Sequence, residues 1–179
     1  MNHMPANPNQ GIEYESANIR EVYLAGGCFW GAEAFIERLY GVVYTEVGYA
    51  NGIIENPTYE QVCSKTTEFV ETVYLKYDCT KVSLEQLIDG FFKIIDPTSY
   101  NKQGGDVGSQ YRTGIYANDP QVLEIGKAKI AEYQPQYSKP ILVEVKRLEN
   151  YYKAEEYHQK YLEKNPGGYC HVDLSLLTK

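Results

Sequence analysis

The sequence predicts an α+β chain, a two-layer α/β sandwich built around a central mixed β-sheet. Three observations carry this. Short apolar runs alternate with stretches whose apolar residues recur at helical spacing. Glycine, proline and asparagine signals separate them and leave long polar loops. No internal repeat or low-complexity block occurs, and 179 residues suffice for one domain with a substantial core. Residues 1–18 are polar, with scattered Pro and Asn, and read as a flexible N-terminal tail. The expected domain is therefore 19–179.

Residues 20–25 read as a strand, and residues 28–39 as the helix that follows. A second strand over 42–49 is closed by the Asn51-Gly52 turn signal. Asn56-Pro57 then leads into a short helical stretch over 59–64, and 69–77 is a third strand. Ser83-Leu84-Glu85-Gln86 is a capping box. It opens a helix whose Leu84, Leu87, Ile88, Phe91, Phe92 and Ile95 share one face until Asp96-Pro97. Residues 98–110 form a Gly-rich loop too polar for a core, and 111–117 is a strand. Asp119 is an N-cap and Pro120 the first residue of a helix to about Tyr133. A strand over 141–148 and a helix over 150–163 follow. Pro166-Gly167-Gly168 stops that helix, leaving 169–179 as a C-terminal tail. A ferredoxin-like core is the expected arrangement.

A formal net charge of -7 argues against nucleic acid as a partner, because phosphate binding needs a basic face. No apolar run is long enough to span a membrane. Residues 1–18 lack the apolar stretch of a signal peptide. A cytoplasmic, reducing location is expected, and with it free thiols rather than a static disulfide framework. Cys28, Cys63, Cys79 and Cys170 lie far apart, and His3, His158 and His171 add no ligand spacing, so no metal and no bound cofactor are expected. Met occurs only at positions 1 and 4, which leaves no core methionine to oxidise.

Gly27-Cys28-Phe29-Trp30-Gly31 sits where a strand turns into a helix. Unpaired N–H groups at a helix start favour thiolate over thiol, and two large aromatic surfaces flank the sulfur. This suggests a nucleophile beside an apolar recognition surface; a buried structural cysteine is the competing reading. In the strand over 69–77, Glu71 alternates with Val73, Leu75 and Tyr77 onto the apolar face. A carboxyl there tends to hold a proton and becomes a candidate general acid, unless an arginine pairs with it. Asp106 and Tyr111, in and after the Gly-rich loop, could hydrogen-bond a polar substrate or the backbone. Cys170 follows Gly167-Gly168-Tyr169 in a tail that looks mobile, and a second thiol there could condense with an oxidised first one. Cys63 and Cys79 read as packing residues.

Together these residues resemble the peptide methionine sulfoxide reductase A family, over about Arg20 to Val172. The anchors are Gly27-Cys28-Phe29-Trp30-Gly31, Asn56-Pro57-Thr58-Tyr59, Glu71, the run from Gln103 to Arg112, and the run from Tyr161 to Cys170. The resemblance implies reduction of methionine-S-sulfoxide, protein-bound and free. It assigns Cys28 as nucleophile and Glu71 as proton donor, with Phe29 and Trp30 as the seat for the substrate methyl. It also assigns Tyr59 and Tyr111 to the sulfoxide oxygen, Asp106 to the polar side of the substrate, and Cys170 as the resolving thiol. A Cys28 sulfenic acid would become a Cys28–Cys170 disulfide, which thioredoxin would reduce. Oxidised proteins and thioredoxin are the implied partners, with a monomer as the default state. The chain departs from the family pattern at Glu68, where a Gly is usual, at Gly105 and at Thr113. Placed on the strand, Glu68 would face away from Glu71. No cysteine follows Cys170, so a three-thiol relay would need Cys63 or Cys79.

Two rival readings make different demands. A cysteine hydrolase needs a histidine aimed at Cys28, with His158 and His171 the candidates outside the tail. A non-catalytic module for methionine- or aromatic-rich peptides would bind without consuming thiols.

Overall fold

The structure is a computed structural model that describes residues 4–178; Met1 and His3 lie outside the described residues. Its strands are β1 (Ile19–Ala25), β2 (Val42–Ala50), β3 (Val70–Asp78), the two-residue pair β4 (Lys102–Gln103) and β5 (Asp106–Val107), β6 (Gly114–Ala117), β7 (Glu144–Arg147) and β8 (Tyr151–Lys153). The helices are α1 (Phe29–Ile36), α2 (Tyr59–Cys63), α3 (Leu84–Phe92), α4 (Pro120–Tyr133) and α5 (Tyr161–Lys164). Six strands make one sheet in the order β7-β6-β1-β3-β2-β8. All neighbours are antiparallel except β6 and β7, so the sheet is mixed, as the sequence predicts. Among the described residues no helix is long and apolar enough to cross a membrane.

Period-two alternation divides the sheet into two faces. Val73, Leu75 and Tyr77 of β3 join Val22, Leu24, Val47 and Tyr49 beneath Phe29, Phe35 and Ile36 of α1 and Leu87, Ile88 and Phe91 of α3. The opposite face carries tyrosines: Tyr23 lies 4.7 Å from Tyr74 and 5.1 Å from Tyr151, ring centre to ring centre. Gly48 leaves the trough in which Tyr151 lies, since a Cβ there would stand 2.4 Å from that ring. The helix starts follow their signals. Thr58 and Ser83 both close capping boxes, and Asp119 accepts from the N–H of Gln121 at 2.9 Å.

Four readings change. The helix expected over 150–163 is instead β8, a 3-10 turn (Glu156–His158) and the short α5. The free edge of β2 recruits Tyr151 and Tyr152, aromatic residues that suit a strand and alternate onto its two faces. The loop over 98–110 is not merely solvated. Gln103 is 3% exposed and grips Asp96 at both backbone N–H and C=O, each at 2.8 Å. Tyr111 belongs to a 3-10 turn (Ser109–Tyr111), and the strand begins only at Gly114. The C-terminal segment packs on the body: Val172 is buried in the main core, with Cys170 and Leu174 against it.

A buried ionic network fixes the segment between β8 and α5. Glu33, 2% exposed, accepts from the Thr45 hydroxyl at 3.0 Å and from the Lys160 N–H at 2.8 Å. The Lys160 ammonium reaches Glu37 at 2.6 Å, and Arg38 joins Glu37 to Glu163. Each charge has partners, as burial requires. The network holds residues 156–163 against α1, where the candidate site begins.

Candidate active site

Gly27 makes the turn from β1 into α1 in the left-handed region, with φ +78°. A Cβ there would lie 2.8 Å from both Gln103 and His171, so the position needs glycine on two counts. The turn delivers Cys28 as the N-cap of α1, 7% exposed. The expected bias towards thiolate is overturned. Burial pushes the thiol well up, the Glu71 carboxylate adds to this, and a hydrogen bond from the Trp30 backbone opposes it only in part. Desolvation outweighs the helix start because almost no water reaches the sulfur.

Glu71 is 1% exposed on the core face of β3. One carboxyl oxygen, Oε1, accepts from the backbone N–H of Phe29 at 3.2 Å. The other, Oε2, is buried with no hydrogen-bond partner among the described residues. Burial pushes the carboxyl up to about 8, so it is mostly protonated at neutral pH. Among the described residues no arginine pairs with it. Glu68 does not lie on β3. It precedes the strand with φ +62°, and its carbonyl accepts from Arg112 at 3.0 Å.

The other anticipated residues gather around this pair. Tyr59 opens α2, and its backbone N–H donates to Glu155 at 2.9 Å. The Tyr59 and Tyr111 hydroxyls are both pushed up first by burial; next comes Cys63 and then the Glu71 charge at Tyr59, and the Glu71 charge at Tyr111. Asp106 on β5 raises Glu71 and accepts from the Tyr169 hydroxyl at 3.1 Å. The Cys170 sulfur rests on the first turn of α1, 2.9 Å from where a Gly31 Cβ would stand. Cys28 and Cys170 are both free thiols. The sequence did not single out Cys63 here, yet its thiol is hydrogen-bonded to Tyr59; Cys79 is exposed rather than packed.

Sequence reasoning also missed the residues that hold the aromatic pair. Trp30 stacks on Tyr161, with ring centres 3.7 Å apart and planes at 11°, and its indole N–H donates to His158 at 2.8 Å. His158 lies 5.1 Å from the Phe29 ring and 4.4 Å from the Tyr59 ring. His171 places Nε2 3.1 Å from the Gly26 carbonyl. Both histidines are thus engaged elsewhere than at Cys28, which removes the arrangement a cysteine hydrolase needs.

A family model of peptide methionine sulfoxide reductase matches residues 20–179. The peptide methionine sulfoxide reductase MsrA of Clostridium perfringens (strain ATCC 13124) is 62% identical over 156 residues, which span 87% of this chain and 99% of that protein. The crystal structure of Mxr1 from Saccharomyces cerevisiae in reduced form matches with a TM-score of 0.84 at 37% identity, covering 92% of this chain and 96% of that one. Mxr1 in complex with Trx2 matches with a TM-score of 0.60 at 28% identity, over 85% of this chain and 91% of that one. A family match over nearly the whole chain, and a turn that presents Cys28 beside a protonated Glu71, lead to one conclusion: this protein is an oxidoreductase that belongs to the peptide methionine sulfoxide reductase A family.

Proposed function

We propose that the protein reduces methionine-S-sulfoxide, in proteins and as the free amino acid, with Cys28 as nucleophile and Glu71 as acid. The observation that carries this is the second Glu71 oxygen: a protonated carboxyl, buried, with no acceptor among the described residues. A sulfoxide oxygen supplies that acceptor. Phe29 and Trp30 offer the methyl an apolar seat, and Tyr59, Tyr111 and Asp106 hydrogen-bond the polar side. As Glu71 donates to the oxygen, the Cys28 sulfur attacks the sulfoxide sulfur and gives up its own proton, which restores the Glu71 carboxyl. The new S–S bond and the substrate S–O bond then break as the hydroxyl passes to the Cys28 sulfur, so methionine leaves and Cys28 becomes a sulfenic acid. The Cys170 thiol then attacks that sulfur, water departs, and a Cys28–Cys170 disulfide remains. Two thiols are oxidised and one sulfoxide is reduced.

Thioredoxin would restore the dithiol by exchange, a reading supported by the similarity to Mxr1, which is solved in complex with Trx2. We further read a single catalytic domain over 19–179, acting as a cytoplasmic monomer. The run β1-α1-β2-β3-α3-β6, with spatial order β6-β1-β3-β2, supports a ferredoxin-like core. Counting free thiols before and after methionine sulfoxide, without reductant, tests the cycle. Loss of two thiols per chain is expected; no loss means that the protein only binds.

A further inference from the structure

We propose that His158 is the positioning residue for the methyl-binding indole: by accepting the Trp30 N–H it fixes where that ring stands. The inference rests on the assignment of Trp30 as the methyl seat and adds the group that holds it there.

The imidazole is 0% exposed and has one hydrogen bond, from the Trp30 indole to Nδ1 at 2.8 Å. Accepting at Nδ1 puts the ring proton on Nε2. That Nε2 is buried with no partner among the described residues. An unpaired buried donor is costly, and an apolar side chain of similar size would avoid the cost. A polar ring at this place therefore earns its position through its bond to Trp30. Burial also disfavours the imidazolium, against an opposing pull from Glu155, and only the neutral ring can accept.

The surroundings agree. Tyr161 covers the face of the indole, but stacking leaves the ring free to slide and turn in its own plane. The bond at its edge removes that freedom. His158 also touches the Phe29 and Tyr59 rings, while Glu155 accepts from the Tyr49 hydroxyl at 2.8 Å and from the Tyr59 N–H at 2.9 Å. One short segment, Glu155 to Tyr161, thus sets both the methyl seat and a tyrosine assigned to the sulfoxide oxygen. A pocket held this way spends no binding energy ordering the indole when substrate arrives.

The test compares His158→Leu, which removes the acceptor, with His158→Asn, whose Oδ1 stands where Nδ1 was. Steady-state reduction of methionine sulfoxide and the fluorescence of Trp30, the chain's single tryptophan, are the two readouts. His158→Leu is expected to raise KM about tenfold, with kcat lowered less than about twofold, and to shift the indole emission. His158→Asn is expected to return both towards wild type. Replacing Trp30 with isosteric 3-benzothienylalanine deletes only the N–H. It should raise KM by a similar factor, and adding His158→Leu should then change nothing more. That replacement serves also if His158→Leu fails to fold. Equal KM values in the Leu and Asn variants, or a wild-type KM without the indole N–H, would overturn the proposal. The emission readout needs no turnover, so an inactive wild type would count against the reductase reading while leaving the clamp to be judged by fluorescence.

Discussion

Replacing Glu71 by Gln should stabilise the protein in neutral and alkaline solution while removing its acid catalyst. The carboxyl is held at about 8 against an ordinary 4.5, chiefly by burial. That displacement corresponds to roughly 5 kcal/mol in favour of the protonated form. The sign follows from proton binding. Between the two values the native state binds more protons than the unfolded chain, so native stability is full below about 4.5 and is lost as pH rises towards about 8. Glutamine keeps an oxygen for the Phe29 N–H but cannot ionise, and is exempt from that loss. From about pH 5 to about pH 8 the wild type should therefore lose roughly 3 kcal/mol relative to Glu71→Gln. Urea unfolding followed by Trp30 fluorescence at each pH gives the comparison. His158 and His171 titrate equally in both proteins and cancel in the difference. Sulfoxide reduction by the variant should fall by about a hundredfold or more, and the wild-type chemical step should slow as pH passes about 8. Parallel loss of stability in the two proteins would refute the reasoning, since Glu71 would then be ionised at no cost.

Cys170→Ser should complete one turnover and stop with sulfenic acid at Cys28, detected as a dimedone adduct by mass spectrometry; unimpaired thioredoxin-driven cycling would remove Cys170 from the resolving role. Glu68→Gly should raise Tm by about 1 to 3 °C by relieving a left-handed backbone at φ +62°, while Glu68→Ala, which keeps a Cβ, should not. A fall in Tm for the glycine variant would mean that the Glu68 side chain contributes more than the backbone costs. Gly48→Ala should destabilise by about 1 to 3 kcal/mol, because the new Cβ would stand 2.4 Å from Tyr151 and displace its hydroxyl from Glu46; denaturant unfolding reads this directly.

Local chemistry made much of this protein legible as a chain of letters. The capping box at Ser83, the Asp119-Pro120 start and the alternation that turns Glu71 inward are settled within a few residues, and so are readable in order. The residues around Cys28 and Glu71 carry their own pattern for the same reason. The sequence did not show that 150–163 splits into an edge strand, a 3-10 turn and the start of a short helix, because the free edge of β2 decides that from a hundred residues away. Nor did it show that the thiol of Cys28 is held protonated. A helix start argues for thiolate, and only the depth of burial reverses it. His158 and Trp30 stand 128 positions apart. Propensity and periodicity act over one or two turns of chain, whereas desolvation, sheet edges and a buried indole's hydrogen-bond partner exist only once distant segments have packed together.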